Sequence, residues 1–289
     1  MFCQLGSYAL CVSMTDELEW RRLNRANWDE RVGVHLGPRG YHLQDLRAGH
    51  GALNAIEEAE LGPVAGLRIL HLQCHFGRDS LCLAQRGATV VSLDFSPPAI
   101  AAARALATEL GLAANARFVL SDIYAAREAI PEPASFDLVY ITWGTICWLP
   151  DIREWARIIA HFLKPDGALY FAEAHPIAMV FDDLTAASDG RPGWFAPYFH
   201  QGALEIEEER DYLDPEARLS NTRTHQFMHP ISTVVTSLVQ AGLVLEWLHE
   251  HKECTWRMFA CQTEGADGLF RWPDEPWLPL SYSLRARKL

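Results

Sequence analysis

Residues 67–81 read LRILHLQCHFGRDSL. A short apolar run, Leu67 to Leu72, enters a tight turn, and the residues from Arg78 onward have helical character. Turns of this kind are usually built from glycine, because the chain must pass through left-handed backbone and approach a ligand closely. Only Gly77 is present here; Gln73, Cys74, His75 and Phe76 fill the rest. The question is what ligand a strand-turn-helix can hold when its glycines are bulky polar residues.

The flanking sequence continues the alternation. ATVVSLD (88–94) reads as a second strand. Ser96 caps a helix with Pro97 and Pro98 in its first turn, and that helix runs to Gly111. ARFVLSD (116–122) and FDLVYIT (136–142) read as strands three and four. DIREWARIIAHFL (151–163) reads as a helix, and Pro165-Asp166-Gly167 turns into a fifth strand, ALYFAEA (168–174). Continuous apolar strands separated by helices predict a parallel sheet covered on both faces. N-terminal to this block, Thr15–Arg31 is an amphipathic helix that Thr15 or Asp16 caps, and residues 52–60 form a second helix. Residues 176–229 lack a long helical pattern and read as an insertion of short strands and loops. A helix (230–242), a strand (243–251) and a last strand (279–288) close the chain, and residues 1–13 read as a disordered extension.

Composition narrows the function. The 289 residues carry 25 Lys and Arg against 37 Asp and Glu, a formal charge of −12. That argues against a nucleic-acid or anionic-membrane surface, which needs clustered cations. No apolar run reaches the ~18 residues of a membrane span. The seven cysteines show no CxxC spacing and the histidines no convincing metal-ligand pattern, so no metal is expected. Scattered, odd-numbered thiols suit a reducing cytoplasm. Ten Trp, eight Tyr and thirteen Phe suit either core packing or an aromatic-lined small-molecule pocket.

In an open parallel sheet, ligands bind beyond the carboxyl ends of the strands. Asp94 ends the second strand, where an acid can accept both ribose hydroxyls. Phe95 and Ser96 follow it. Asp122 follows the third strand, where it can accept from an adenine amine, with the Ile123 N–H beside it. Thr142 and Trp143 end the fourth strand, and Glu173 and His175 the fifth. A dinucleotide fingerprint would need glycines at 73, 75 and 78; Gln73, His75 and Arg78 stand there, and bulk at the closest approach blocks a pyrophosphate. A P-loop is also missing. The adenosine ligand without a phosphate is S-adenosylmethionine.

The order of these features resembles the class I S-adenosylmethionine-dependent methyltransferases. The resemblance rests on ILHLQCHFGRDSLCLAQRGATVVSLDFSPPAIAAAR, FVLSDIY, FDLVYITWGTICWLPDI, FLKPDGALYFAEAHP and the C-terminal PLSYSLRARK. It covers residues 64–176 well and 230–289 more loosely. The first motif of that family is an acid followed by Gly-x-Gly-x-Gly; here His71, Gln73 and His75 replace the acid and two glycines, a variant similar to that of a bacterial subgroup.

The resemblance implies a doubly wound α/β, Rossmann-like sheet of seven strands, the last antiparallel. It divides the chain into a helical cap (14–61), a cofactor-binding core (62–175), an insertion after the fifth strand that forms the substrate pocket (176–229), and a C-terminal part of the core (230–289). The activity implied is methyl transfer to a nitrogen, oxygen or carbon of a small molecule in the cytoplasm. A cyclase or lyase on the same cofactor and a non-catalytic binding protein are the alternatives. Gln73 and His75 would bond the methionine end with Gly77 beside them. Trp28, Tyr41 and Arg47 of the cap would close over it, Arg47 pairing its carboxylate. Trp143 and Trp148 would lie near the methyl group, and His175, oriented by Glu173, would be the base.

Overall fold

The computed structural model describes residues 14–289. Residues 1–13, expected to be disordered, lie outside the described residues, as do the side chains of Thr15 and Asp16, expected to cap the first helix. That helix, α1, spans Met14–His35. It runs four residues past the expected Arg31 and so includes His35. Two short helices follow, α2 (Gln44–Arg47) and α3 (Ala55–Glu60). α3 starts three residues later than its pattern suggests, because the Glu57 carboxylate accepts from the Asn54 N–H at 3.1 Å and sets the start there.

The alternating block folds as read, with one short helix added, α6, that the pattern does not mark: β1 (Arg68–Leu72), α4 (Arg78–Gln85), β2 (Thr89–Asp94), α5 (Pro97–Glu109), β3 (Ala116–Leu120), α6 (Ala126–Ala129), β4 (Phe136–Thr142), α7 (Ile152–Phe162) and β5 (Leu163–Ala174). The Ser96 hydroxyl accepts from the Ala99 N–H at 3.3 Å, and the Asp151 carboxylate accepts from the N–H groups of Arg153 and Glu154. Both are side-chain caps on otherwise unbonded first-turn donors. β5 begins five residues earlier than expected: Pro165-Asp166-Gly167 lies within the strand as an irregularity, and the β4–β5 pairing jumps from Phe136/Leu163 to Leu138/Ala168.

Within the insertion, β6 (Ala203–Glu207) and β7 (Arg223–Phe227) form a two-stranded antiparallel sheet. Then come α8 (Ile231–Gln240), β8 (Leu243–His251) and β9 (Ser281–Lys288). The main sheet has the order β3-β2-β1-β4-β5-β9-β8. β9 is antiparallel to both neighbours; the other pairings are parallel. This is the expected seven-stranded sheet with its last strand reversed. Its order turns outward from β1 toward β2 on one side and β4 on the other, which opens a crevice at their carboxyl ends.

Strand alternation sends β1 to two cores. Leu70 and Leu72 join Trp155, Ile159, Phe162 and Tyr282 beneath α7 and α8. Ile69 joins Leu81, Ile100, Phe118 and Tyr140 beneath α4 and α5. A third core, Ala178, Cys254, Phe259, Trp272 and Leu280, joins the start of the insertion to the 252–280 segment. The sequence pattern leaves that segment unassigned.

Gly77 has φ +77°, and a Cβ placed on it would lie 2.4 Å from Phe118 Cε1. Both left-handed backbone and close approach to β3 therefore demand glycine. Gly77→Ala is expected to lower the unfolding free energy by about 3 kcal/mol, the sum of left-handed strain and overpacking. Urea unfolding checks this.

Candidate active site

The turn after β1 keeps a glycine-motif backbone without the glycines. Gln73 has φ 58° and His75 φ 50°, so with Gly77 every second residue is left-handed. Each non-glycine residue there costs about 1–2 kcal/mol. What holds them is Asp94: its carboxylate accepts from the His75 N–H at 2.8 Å and from the Ser96 N–H at 3.0 Å. The Cys74 N–H donates to the Leu93 carbonyl at 3.0 Å. The turn is thus tied to the end of β2 on two consecutive residues.

A cavity of about 1260 Å³ opens above this turn, at the carboxyl ends of the strands. Eleven of the expected residues line it: Trp28, Gln73, His75, Gly77, Asp94, Phe95, Asp122, Ile123, Thr142, Trp143 and Glu173. So do Tyr41 and Trp148. Its walls also include Thr255, Trp256, Met258 and Phe259, so the 252–280 segment joins the cap and the insertion around it.

Several expected roles change with the geometry. Arg47 does not line the cavity; it pairs with Glu109 on the outside at 2.7 Å. Four of the arginines that do line it, Arg31, Arg39, Arg78 and Arg257, come from the cap, α4 and the 252–280 segment. Ser96 is the fully buried cap of α5 and lies behind the wall. His175 also lies outside it. Its Nε2 is 2.9 Å from Glu250 Oε1, and its Nδ1 accepts from the Ile177 N–H at 3.1 Å. Both ring nitrogens are engaged, so His175 is a structural residue here rather than the base expected. Glu173 accepts from the backbone N–H groups of Gly144, Thr145, Ile146 and Ala174 at 2.6–3.1 Å. Its oxygens are filled by the loop after β4; it neither orients His175 nor stands free to take a proton.

Among the described residues Asp122 meets partners with both oxygens. One oxygen accepts from the Tyr124 N–H at 2.8 Å, and the other lies 2.9 Å from Arg21 Nε on α1. At the missing acid position, His71 is buried, bonded to Ser80 Oγ at 2.8 Å, and pushed down to about 4 by burial. The buried acid of this region is Glu57, pushed up to about 7 by burial and the nearby Asp79, and hydrogen-bonded to the Tyr140 hydroxyl.

α1 is stitched to the insertion by side chains that act as backbone partners. Asn24 Nδ2 donates to the His225 carbonyl, and the His225 N–H donates back to Asn24 Oδ1, both at 2.8 Å. Glu30 accepts from the N–H groups of Ser220 and Asn221 at 2.7 and 2.9 Å. Deeper, Arg31 reaches Asp211 Oδ2 at 2.8 Å, and His35 bridges Asp211 and His75. His35, Arg31 and Asp211 were not legible as a group in the sequence. For Arg31 and His35 the only signal is the polarity of helix positions that face a wall; Asp211 lies in irregular chain and has none.

The fit of an adenosyl cofactor rests on two observations. Asp94 puts a buried carboxylate in the wall beyond β2. Gln73 Nε2 donates to the Thr145 carbonyl at 2.9 Å, while its Oε1 is buried with no hydrogen-bond partner among the described residues. That oxygen is an open acceptor suited to an ammonium group.

The comparison with known families agrees. Residues 69–167 match the family described as "Methyltransferase domain". Over those residues the chain resembles a methyltransferase domain. Among curated proteins, the chain is 31% identical over 119 residues to the ubiquinone biosynthesis O-methyltransferase of Ralstonia nicotianae, covering 41% of this chain and 48% of that one. The chain spans about half the length of the first curated relatives it matches. Among solved structures, it resembles an S-adenosylmethionine-dependent methyltransferase from Listeria monocytogenes, with TM-score 0.60 and 17% identity over 84% of this chain and 98% of that one. It also resembles one from Mesorhizobium loti, with TM-score 0.54 and 24% identity over 81% and 96%. These likenesses show the fold of the methyltransferase domain and its flanking elements. No helix among the described residues is long and apolar enough to cross a membrane.

Asp94 yields a prediction on stability. Burial pushes its carboxyl up to about 6, against the lowering pull of the Ser96, His75 and Phe95 amides. The folded state then holds the proton more tightly than the unfolded one. Stability from this group is full below about pH 4 and is lost as pH rises through about 6. The unfolding free energy of the wild type minus that of Asp94→Asn should fall by about 2–3 kcal/mol over that window. Urea unfolding at several pH values measures it; a flat difference contradicts the burial argument.

Proposed function

We propose that the protein transfers a methyl group from S-adenosylmethionine to a small-molecule acceptor. The observation that carries this reading is the turn of residues 73–77, left-handed at every second residue and tied to Asp94, in the wall of a cavity at the strand ends. Bulk at 73 and 75 leaves no close approach for a pyrophosphate, while the amino-acid end of an adenosyl sulfonium needs none.

When bound, the cofactor supplies a methyl group already activated on a positively charged sulfur. The protein's task is therefore alignment and exclusion of water, and orientation alone can contribute about 7–11 kcal/mol in favourable cases. Asp94 holds the ribose hydroxyls with the lone pairs that its two backbone donors leave. Gln73 Oε1 accepts from the ammonium. Asp122, with Ile123 and Phe95, flanks the adenine. Trp28, edge-on to Trp148 with centroids 5.5 Å apart, and Trp143, edge-on to Trp256 at 6.3 Å, supply aromatic faces that tolerate a cation. The lid of α1 and the β6–β7 insertion keeps water from the reacting atoms.

The insertion and the 252–280 segment line the cavity with Phe181, Phe227, Met228, Trp256, Met258 and Phe259, beside charged Asp182, Glu205, Glu207, Arg257 and Glu264. The apolar part of that wall favours an aromatic or aliphatic acceptor that offers polar atoms. The O-methyltransferase relatives favour oxygen as the one methylated. The acidic surface disfavours nucleic acid. We place the reaction in the cytoplasm, in keeping with the free thiols of Cys74, Cys82, Cys147, Cys254 and Cys261.

Two measurements test the reading together. S-adenosylmethionine should bind the wild type, and Asp94→Ala should weaken binding at least ~10-fold, about 1.4 kcal/mol. Turnover with an acceptor library should release S-adenosylhomocysteine; release of methylthioadenosine instead would move the assignment to a lyase or cyclase.

A further inference from the structure

His75 stands where the family-like motif has a glycine, and its side chain is not idle. Its Nε2 is 2.8 Å from His35 Nδ1, and His35 Nε2 is 3.0 Å from Asp211 Oδ2. The three residues come from the turn after β1, the end of α1 and the insertion. The side chains of His35 and Asp211 are wholly buried. Asp211 Oδ2 also takes Arg31 at 2.8 Å, and its Oδ1 accepts from the Leu213 N–H at 2.8 Å. The rings of Tyr41 and Tyr212 stand edge-on to His35, with centroids 5.5 and 5.1 Å away and their hydroxyls 2.9 Å apart. His35 is thereby fixed in position.

The proton pattern follows from this packing. Burial would push the Asp211 carboxyl up, but the hydrogen bond from His35, the Leu213 amide and Arg31 hold it below its ordinary value. Asp211 is an acceptor only, so His35 carries its proton on Nε2. The Arg31 guanidinium already answers the Asp211 charge, and the Nε2 of His75 is taken up by the Nδ1 of His35. Burial, with His35 and Arg31 adding to it, pushes His75 well below its ordinary value, so it is uncharged. The charged or titratable groups around the pair are Arg31, Asp211 and Glu208 beyond it, Tyr41 and Tyr212, and Asp94, which holds the His75 N–H.

We propose that Asp211 and His35 are positioning residues which hold His75 as an uncharged imidazole in the cofactor wall, so that its ring adds no cation beside the sulfonium. This inference rests on the adenosyl reading of the cavity. It explains how a histidine can replace a glycine beside a positively charged ligand: an imidazolium there would repel the sulfonium, whereas S-adenosylhomocysteine, a neutral thioether, would be indifferent. It also makes the wall dependent on the cap and the insertion, which supply the other two members of the chain.

The test compares the two ligands by isothermal titration between about pH 6 and 8, where a released histidine titrates. In the wild type, the ratio of the two affinities should stay constant over that range. In Asp211→Asn, S-adenosylmethionine should weaken at least ~10-fold and S-adenosylhomocysteine less than ~3-fold, with the gap widening as pH falls. Equal losses for both ligands at every pH would overturn the inference and leave Asp211 a purely structural residue. Histidine nitrogen NMR on the ligand-free wild type gives a second readout that needs no variant to fold. The His75 ring should remain uncharged across the range, and ordinary titration of it would overturn the inference. Failure of the wild type to bind either ligand would instead overturn the adenosyl reading beneath it.

Discussion

The hydrogen bond from the His75 N–H to the Asp94 carboxylate governs the site. It joins the ends of two adjacent parallel strands and supports backbone that side-chain-bearing residues avoid. Two left-handed non-glycine residues cost about 1–2 kcal/mol each. A charge-assisted bond of 2.8 Å, with a second at 3.0 Å to the start of α5, offsets much of that. The return on the strain is functional. Glycine would leave the turn bare, whereas Gln73 and His75 put an amide and an imidazole into the wall of the cavity. Buried strain of this kind persists where the surroundings over-determine it, and here β2, α5 and the β4 loop all do so.

The lid depends on the same logic of paired buried polar groups. α1 meets the insertion through Asn24, Asn27 and Glu30, whose side chains bond backbone groups around β7. Such contacts read the course of the partner chain rather than its side chains, so they fix register between segments about 200 residues apart. Arg31, His35 and Asp211 continue this seam inward to His75. One continuous polar path therefore runs from the outer lid to the turn after β1. Losing one partner would leave another buried donor or acceptor unmatched.

Much of the core was legible in the sequence because its signals are local. Apolar runs of strand length, Ser96 and Asp151 before helices, and Gly87 and Gly111 after them mark each element by its own residues. The position of Asp94 at a strand end and of the residues around it follows from topology, which is why most of the expected wall lies together. What failed depended on contacts distant in sequence. Nothing near Arg47 reveals that Glu109 faces it outside the cavity. Nothing near His175 reveals Glu250, and Glu173 looks like a free carboxylate until three amides of the β4 loop and that of Ala174 are seen around it. Asp211 reads as one more acid in a charged insertion. The 252–280 segment has strands of only two residues, too short for periodicity to register.

The central claim is that this turn selects an adenosyl ligand without a phosphate. Isothermal titration of the wild type with S-adenosylhomocysteine and, side by side, with NAD tests it most directly. Binding of S-adenosylhomocysteine in the micromolar range with no detectable heat from NAD is the result this account predicts. Comparable binding of NAD would show that Gln73 and His75 leave room for a pyrophosphate, and would contradict it.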